Sequence, residues 1–319
     1  MKRTLKIDPY FERRMWGGGR RLIDEFHYRT SVAPLGEVYN VVALPGKADC
    51  LVPALNMTLS ELYQQHPEWF ACETEQLPIR VNILDPMADL SIQIHPDDAF
   101  AKTWNGGRGK PEAWVILDTP EEGVIEFGHH ARDKEEFIRW SENRRWEKLL
   151  RYLPAKKDVF IDIPTGTLHA IGKGVLTYNI SRNADLTLRL YDYDRLDPST
   201  GQKRSIQPEA VYENVCVPDR LIKFQEFPSV SEHGLKVTRY TDEPGLYTLI
   251  RLQCQKKGRF LHERFGFYTC VKGEGTINGI PIFQGETVLV THGSGWTEIE
   301  GDLDLFLASY RNETIPKAG

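Results

Sequence analysis

Cysteine is scarce and unpatterned in this 319-residue chain. Cys50, Cys72, Cys216, Cys254 and Cys270 are odd in number, scattered, and include no CxxC pair. Such a set argues against a disulfide framework and for a reducing compartment, with the thiols buried and free. Long apolar runs are missing as well. Nothing approaches the roughly 18 uninterrupted apolar residues that a membrane span needs. The opening MKRTLKIDPYFERRMW carries early positive charges but no apolar core, so it is not read as a signal peptide. There is no long basic run, and the formal net charge of −5 speaks against nucleic-acid binding. No low-complexity segment interrupts the chain. The expectation is a cytoplasmic globular protein with neither nucleic acid nor membrane as a partner.

Short strands are what the chain does contain. Hydrophobic residues make up 40% of it, enough for a substantial core, and the length suggests about two domains. EVYNVVAL, PIRVNIL, LSIQIH, EAWVILD, VFIDI, VLTYNI and LTLRLYDY are rich in Val, Ile, Leu and Tyr, and many are bounded by Gly, Pro, Asn or Asp. That texture predicts a mostly β fold, a sandwich or barrel. Helical spacing shows in two places. TLSELYQQHPEWFA (58–71) opens with a cap at Thr58 or Ser60 and sets Leu59, Leu62 and Tyr63 on one side. DKEEFIRWSENRRWEKLLRYL (133–153) sets Phe137, Trp140, Trp146, Leu149 and Leu150 at helical intervals, a core face with Lys and Arg in solvent opposite. From Leu235 onward a period-two pattern punctuated by Gly273, Gly275, Gly279 and Gly285 predicts a second small barrel. It is expected to pack against the first and lend a wall to its cleft. The polar stretch 197–228 reads as the link. The domains are therefore drawn at 1–228, with helices near 58–71 and 133–153, and at 229–319.

In LSIQIHPDD (90–98), alternate residues of a strand share a face, so Ser91, Gln93 and His95 project together while Ile92 and Ile94 point away. Pro96, Asp97 and Asp98 then end the run. A strand that aims a hydroxyl, an amide and an imidazole one way out of an apolar stretch marks a candidate site. In GKPEAWVILD (109–118), Lys110, Glu112 and Trp114 share one face, and Ala113, Val115 and Leu117 the other. In IPTGTLHAIGKG (163–174), Pro164, Gly166 and His169 form a PxGxxH turn from which an imidazole emerges. Each signal alone is weak: a single strand histidine is more often a core or surface residue, PxGxxH serves as an ordinary turn, and Glu112 could simply pair with Lys110. Together they put two imidazoles, one carboxylate and one amide on three neighbouring segments. That set suits a divalent metal of borderline hardness, Zn2+ first, with Fe2+, Mn2+ or Co2+ also allowed. With no thiolate the metal keeps net positive charge, and open positions can take substrate oxygens. His27, His66, His129, His130, His233, His262 and His292 read as structural or exposed.

PxGxxH matches the second cupin motif, and QxH with a delayed Glu112 stands in for the first. In that form the sequence resembles the type I mannose-6-phosphate isomerases, specifically their short bacterial form. The matching text is MWGG (15–18), LSIQIHPDD (90–98), GKPEAW (109–114), GHHA (128–131), PTGTLHAIGKGVL (164–176) and LRLYDYDR (188–195), in the family's order. The resemblance implies two cupin (jelly-roll) barrels with a small helical insertion and one Zn2+ per chain. It implies interconversion of mannose 6-phosphate and fructose 6-phosphate through an enediol. By motif position it puts the metal on Gln93, His95, Glu112 and His169. It turns Ser91, Lys110 and Arg189 toward the sugar phosphate, with Lys110 and Arg189 catalytic. Without the resemblance, Arg189 reads as an ion-pair partner of Asp192 or Asp194. The expected partner is a small-molecule sugar phosphate, and the expected assembly a monomer or weak homodimer.

The match departs from the family at a few positions. Asn179 stands where the family usually has Glu, Ser181 and Arg182 where it has one or two Gln, and Asn82 where it often has Lys. An amide cannot act as a general base at neutral pH. One alternative is therefore a divergent sugar-phosphate-binding cupin with altered specificity or no fast turnover. Another is a different metal-dependent cupin enzyme such as an Fe2+ oxygenase, against which the amide of Gln93 speaks.

Overall fold

The computed structural model describes residues 3–219 and 225–313. In chain order the strands that position the site are β1 (Thr4–Ile7), β2 (Tyr10–Arg13), β3 (Leu35–Val41), β4 (Ile79–Leu84), β5 (Ile92–Ile94), β6 (Glu112–Asp118), β7 (Val124–His129), β8 (Leu150–Pro154), β9 (Phe160–Ile163), β10 (His169–Ile171), β11 (Leu176–Arg182) and β12 (Leu188–Tyr191). A six-stranded sheet runs β9-β6-β11-β4-β3-β2, and a five-stranded sheet runs β8-β7-β10-β5-β12. The eight strands from Ser229 to Tyr310 and β1, which pairs with Thr287–Val290 at one end, together make a nine-stranded sheet. The fold is mostly β, as the sequence predicts.

Alternation along the strands decides the layers. On β6, Ala113 and Val115 pack into a core shared with the nine-stranded sheet, while Trp114 and Ile116 pack with Ile92, Ile94 and Phe127 of the five-stranded sheet. On β11, Tyr178 and Ile180 join Ala113 on the first side, and the Tyr178 ring stacks on Phe306 with centroids 4.5 Å apart. Between them Thr177, Asn179 and Ser181 are buried polar residues, which strand alternation puts on the other face. The six-stranded sheet is thus a middle layer, apolar on one face and partly polar on the face toward the five-stranded sheet.

The helices are shorter than the spacing predicts. Within 58–71 the helix is Leu59–Gln65, with Thr58 as N-cap in a capping box with Glu61. Pro67 disfavours a helical His66, so the chain passes into the short turn Pro67–Trp69. Within 133–153 the helix is Lys134–Glu142, capped by Asp133, followed by the single turn Trp146–Leu149. Arg144 takes a left-handed φ of 53° between them. The last residues, Leu150–Pro154, are strand β8 and not helix, because pairing with β7 supplies their backbone hydrogen bonds. The stretch 197–228 is more than a link: helix Pro208–Asn214 buries Ala210 and Val211 in the core behind β5 and β12. Residues 220–224 of that stretch lie outside the described residues. The cysteines are all unpaired, but only Cys50, Cys254 and Cys270 are buried; Cys72 and Cys216 are partly open. Among the described residues no helix is long and apolar enough to cross a membrane.

One acid is buried on β7. Glu126 is 3% exposed, and its Oε2 has no hydrogen-bond partner. Burial pushes its carboxyl up to about 7 from an ordinary 4.5. Between those values the folded chain keeps a proton that the unfolded chain has released, so stability falls as pH rises through the window. Glu126→Gln removes the effect. Its thermal midpoint should match the wild type near pH 5 and exceed it at pH 8, by about 3 kcal/mol in stability at most. Parallel midpoint-versus-pH curves for the two proteins would refute this.

Candidate metal centre and substrate cavity

Local structure brings the segments together. Ile92 and Ile94 of β5 are fully buried behind the strand, leaving Ser91, Gln93 and His95 on the opposite side. The acidic residues that end the strand brace its surroundings. Asp97 caps helix Asp98–Asn105 by accepting from the Phe100 N–H at 2.9 Å. Asp98 accepts from the Gly109 N–H and from Arg182, each at 2.7 Å, which ties the entry of β6 to β5. In the PxGxxH turn, Gly166 has φ 81°, and a Cβ there would meet the Asn214 carbonyl and the Cys216 sulfur at 2.8 Å. Its N–H donates to the His95 carbonyl at 2.8 Å, joining the two histidine-bearing segments directly.

The four side chains singled out from sequence converge where the five- and six-stranded sheets face each other. His95 Nε2 lies 3.2 Å from Glu112 Oε2, and His169 Nε2 lies 3.5 Å from Glu112 Oε1. The candidate donor atoms of His95, Glu112 and His169 all fall within 4.8 Å of one another, and all three residues are buried. Gln93 presents its amide to His169 Nε2 at 3.4 Å and accepts from the Ser91 hydroxyl at 3.0 Å. Lys110 Nζ is 2.8 Å from Glu112 Oε2 and 3.3 Å from His95 Nε2, and the Trp114 indole donates to Glu112 Oε1 at 3.1 Å.

The protonation pattern follows from the partners. His95 Nδ1 faces the Leu186 carbonyl at 2.9 Å, and His169 Nδ1 faces the Thr167 carbonyl at 2.8 Å. A carbonyl only accepts, so each Nδ1 carries the hydrogen and each neutral ring turns an Nε2 lone pair inward. Burial lowers both imidazoles, His169 to about 4, and Lys110 adds to the effect on His95. Burial raises Glu112, but the Lys110 ammonium leads the influences that outweigh it and hold the carboxyl well below its usual range. Burial also pushes the Lys110 ammonium down. Two fixed lone pairs, an ionised carboxylate and an amide that can turn its oxygen inward fit a divalent cation.

These residues open on a cavity of about 150 Å³. Larger hollows lie elsewhere on the surface, but the convergent polar groups are here. Five cations line it, Arg14, Arg80, Lys110, Arg189 and Arg204, against three carboxylates, Glu37, Glu112 and Asp185. Most are paired. Arg14 binds Glu37 at 2.7 Å, and Arg204 grips both oxygens of Asp192 at 2.7 and 2.8 Å. Arg189 is the exception. Asp192 is taken by Arg204 and Arg195, and Asp194 by Arg144 and Lys203. The pairing that sequence alone suggested for Arg189 is therefore not made, and its Nε is buried without a partner. Burial and the neighbouring Arg204 lower this guanidinium to about 10.

Arg14, Arg80, Glu37 and Arg204 escaped the sequence reading. Arg80 was findable, because Arg80 and Asn82 alternate with Ile79, Val81 and Ile83 just as Ser91 and Gln93 alternate with Ile92 and Ile94. Asn82 and Asn179 lie directly opposite each other on β4 and β11, so two apparently separate departures occupy one place in the sheet. The expected wall from the C-terminal half is not found among the described residues: those lining the cavity lie between Arg14 and Arg204. The nine-stranded sheet is occupied in packing against the opposite face of the middle layer.

A cupin-type β fold with a buried His–Glu–His cluster, opening on a cation-lined cavity, sets the class of this protein. A family model, phosphomannose isomerase type I, catalytic domain, matches residues 4–136. Mannose-6-phosphate isomerase ManA of Bacillus subtilis is 32% identical over 93% of this chain and 96% of its own. The probable mannose-6-phosphate isomerase GmuF of the same organism is 38% identical over 73% of this chain and 74% of its own. The crystal structure of the mannose 6-phosphate isomerase from Bacillus subtilis superposes with a TM-score of 0.90 at 29% identity, covering 96% of this chain and 99% of that one. The chain belongs to the type I phosphomannose isomerase family of enzymes.

Proposed function

We propose that this chain interconverts mannose 6-phosphate and fructose 6-phosphate in this cavity, with one Zn2+ held by Gln93, His95, Glu112 and His169. The observation that carries the proposal is the convergence of two hydrogen-bond-fixed imidazole lone pairs and an ionised carboxylate beside a half-buried arginine with no ion pair among the described residues. Bound there, the metal would supply Lewis-acid polarisation of the sugar's carbonyl and hydroxyl oxygens. The chain's own residues do the rest. The lining cations outnumber the carboxylates by two, which complements the double charge of a phosphate ester. Arg189 is the guanidinium among them with no ion pair among the described residues, and Ser91 lines the same cavity. The reaction moves one proton from carbon 2 to carbon 1 through an enediol, and a group on the protein must accept and return it. Asn179 cannot; we assign the role to Lys110, which lines the cavity and whose ammonium burial pushes down.

The test is a coupled isomerase assay with mannose 6-phosphate before and after chelation, with metal measured on the same sample. Turnover should vanish on chelation and return with Zn2+. Turnover indifferent to chelation would overturn the metal assignment. One observation favours a second reading, sugar-phosphate binding without fast turnover: the amide at 179 in place of a carboxylate. One bound metal per chain with no turnover would select it.

A further inference from the structure

Asn179 sits at the centre of the polar face of β11. It is 4% exposed and lines the cavity, yet its side chain makes no hydrogen bond at either end among the described residues, and its Oδ1 is fully buried. Leaving a buried amide unpaired is costly, so a group of this kind facing a cavity points to a ligand or an ordered water that completes it. Its neighbours do not complete it. Asn82, opposite on β4, directs its Nδ2 to Glu37 instead. Trp114, opposite on β6, spends its indole N–H on Glu112.

The amide's chemistry narrows the ligand group. It is neutral and offers one acceptor and two donors, so it matches a hydroxyl, which also both donates and accepts. A phosphate oxygen only accepts, so it would use the amide's donors and leave the buried Oδ1 unpaired, and it is better served by the arginines. We propose that Asn179 is a specificity-determining residue that hydrogen-bonds a sugar hydroxyl of the substrate, dividing recognition with the cations that take the phosphate; this rests on the sugar-phosphate reading of the cavity. Asn179 contacts substrate but moves no proton.

The experiment measures calorimetric dissociation constants of the metal-loaded protein for mannose 6-phosphate and for inorganic phosphate. Asn179→Ala truncates the amide, and Asn179→Leu keeps its bulk if truncation unsettles the fold. Each should weaken mannose 6-phosphate about tenfold while leaving inorganic phosphate within about twofold. Equal loss for both ligands would assign Asn179 a structural role, and no loss for either would leave it hydrated and idle; both results overturn the proposal. The wild type separates this proposal from the isomerase reading. Binding of mannose 6-phosphate without turnover sinks the isomerase and still measures the contact. Turnover with an unchanged affinity ratio in the variants sinks the contact alone. A wild type that binds neither ligand sinks both.

Discussion

His95→Ala and His169→Ala should each strip the metal and abolish turnover while leaving the fold standing. Each imidazole is one of only four proposed ligands, and loss even of an outer hydrogen-bond partner of a ligand typically costs about 10–100-fold in metal affinity. Losing the ligand itself should exceed that. The fold should survive because the apolar clusters of the two facing sheets are built from other side chains. The main structural cost is that the Leu186 or Thr167 carbonyl loses its Nδ1 donor, on the order of 1–3 kcal/mol. Metal content by mass spectrometry and far-UV circular dichroism would check this. Full metal occupancy in both variants would place the cation elsewhere, and global unfolding would make the cluster a structural site.

Arg189→Ala should retain the metal and lower kcat/KM by about 10²-fold, because it removes a charge-assisted donor proposed for the substrate's phosphate, worth up to about 3 kcal/mol. Its effect on stability should run the other way. Arg189 is a partly buried cation with no ion pair among the described residues, pressed by Arg204. Removing it relieves that repulsion and strands no carboxylate, since Asp192 keeps both Arg195 and Arg204. The ligand-free thermal midpoint should therefore hold or rise, while the stabilisation gained on adding phosphate shrinks. Arg189→Lys should recover only part of the activity, because an ammonium lacks the planar fork. Wild-type kinetics in Arg189→Ala would remove Arg189 from the reaction.

The faces of β5 and β6 were legible because strand alternation is strict: once Ile92 and Ile94 are assigned to the core, Ser91, Gln93 and His95 have nowhere else to point. His169 was legible through the glycine its turn requires. The freedom of Arg189 was not. It depends on which of several arginines captures Asp192, and Arg204 reaches that carboxylate from a polar stretch with no periodicity to read. Residues 150–153 take a strand and not the expected helix for a related reason. Leu149 and Leu150 fit a helical stripe, but Leu150 belongs to a strand whose partner β7 lies some twenty residues upstream, and local spacing carries no record of that pairing. Membership of β1 in the far sheet left no local mark either.

That last feature bears on how the molecule comes into being. The Lys6 ammonium meets Glu286 across 280 residues of chain, and Thr4–Ile7 hydrogen-bonds alongside Thr287–Val290. At roughly ten residues per second, a ribosome needs about half a minute to deliver the partner strand after β1 has emerged. Until then β1 is an unpaired edge in a nascent chain whose catalytic sheets can already assemble. The seam joins β1 to a strand near the far end of the chain, so it can form only after most of the chain has been made, and a chain lacking Thr287–Val290 would leave β1 unpaired.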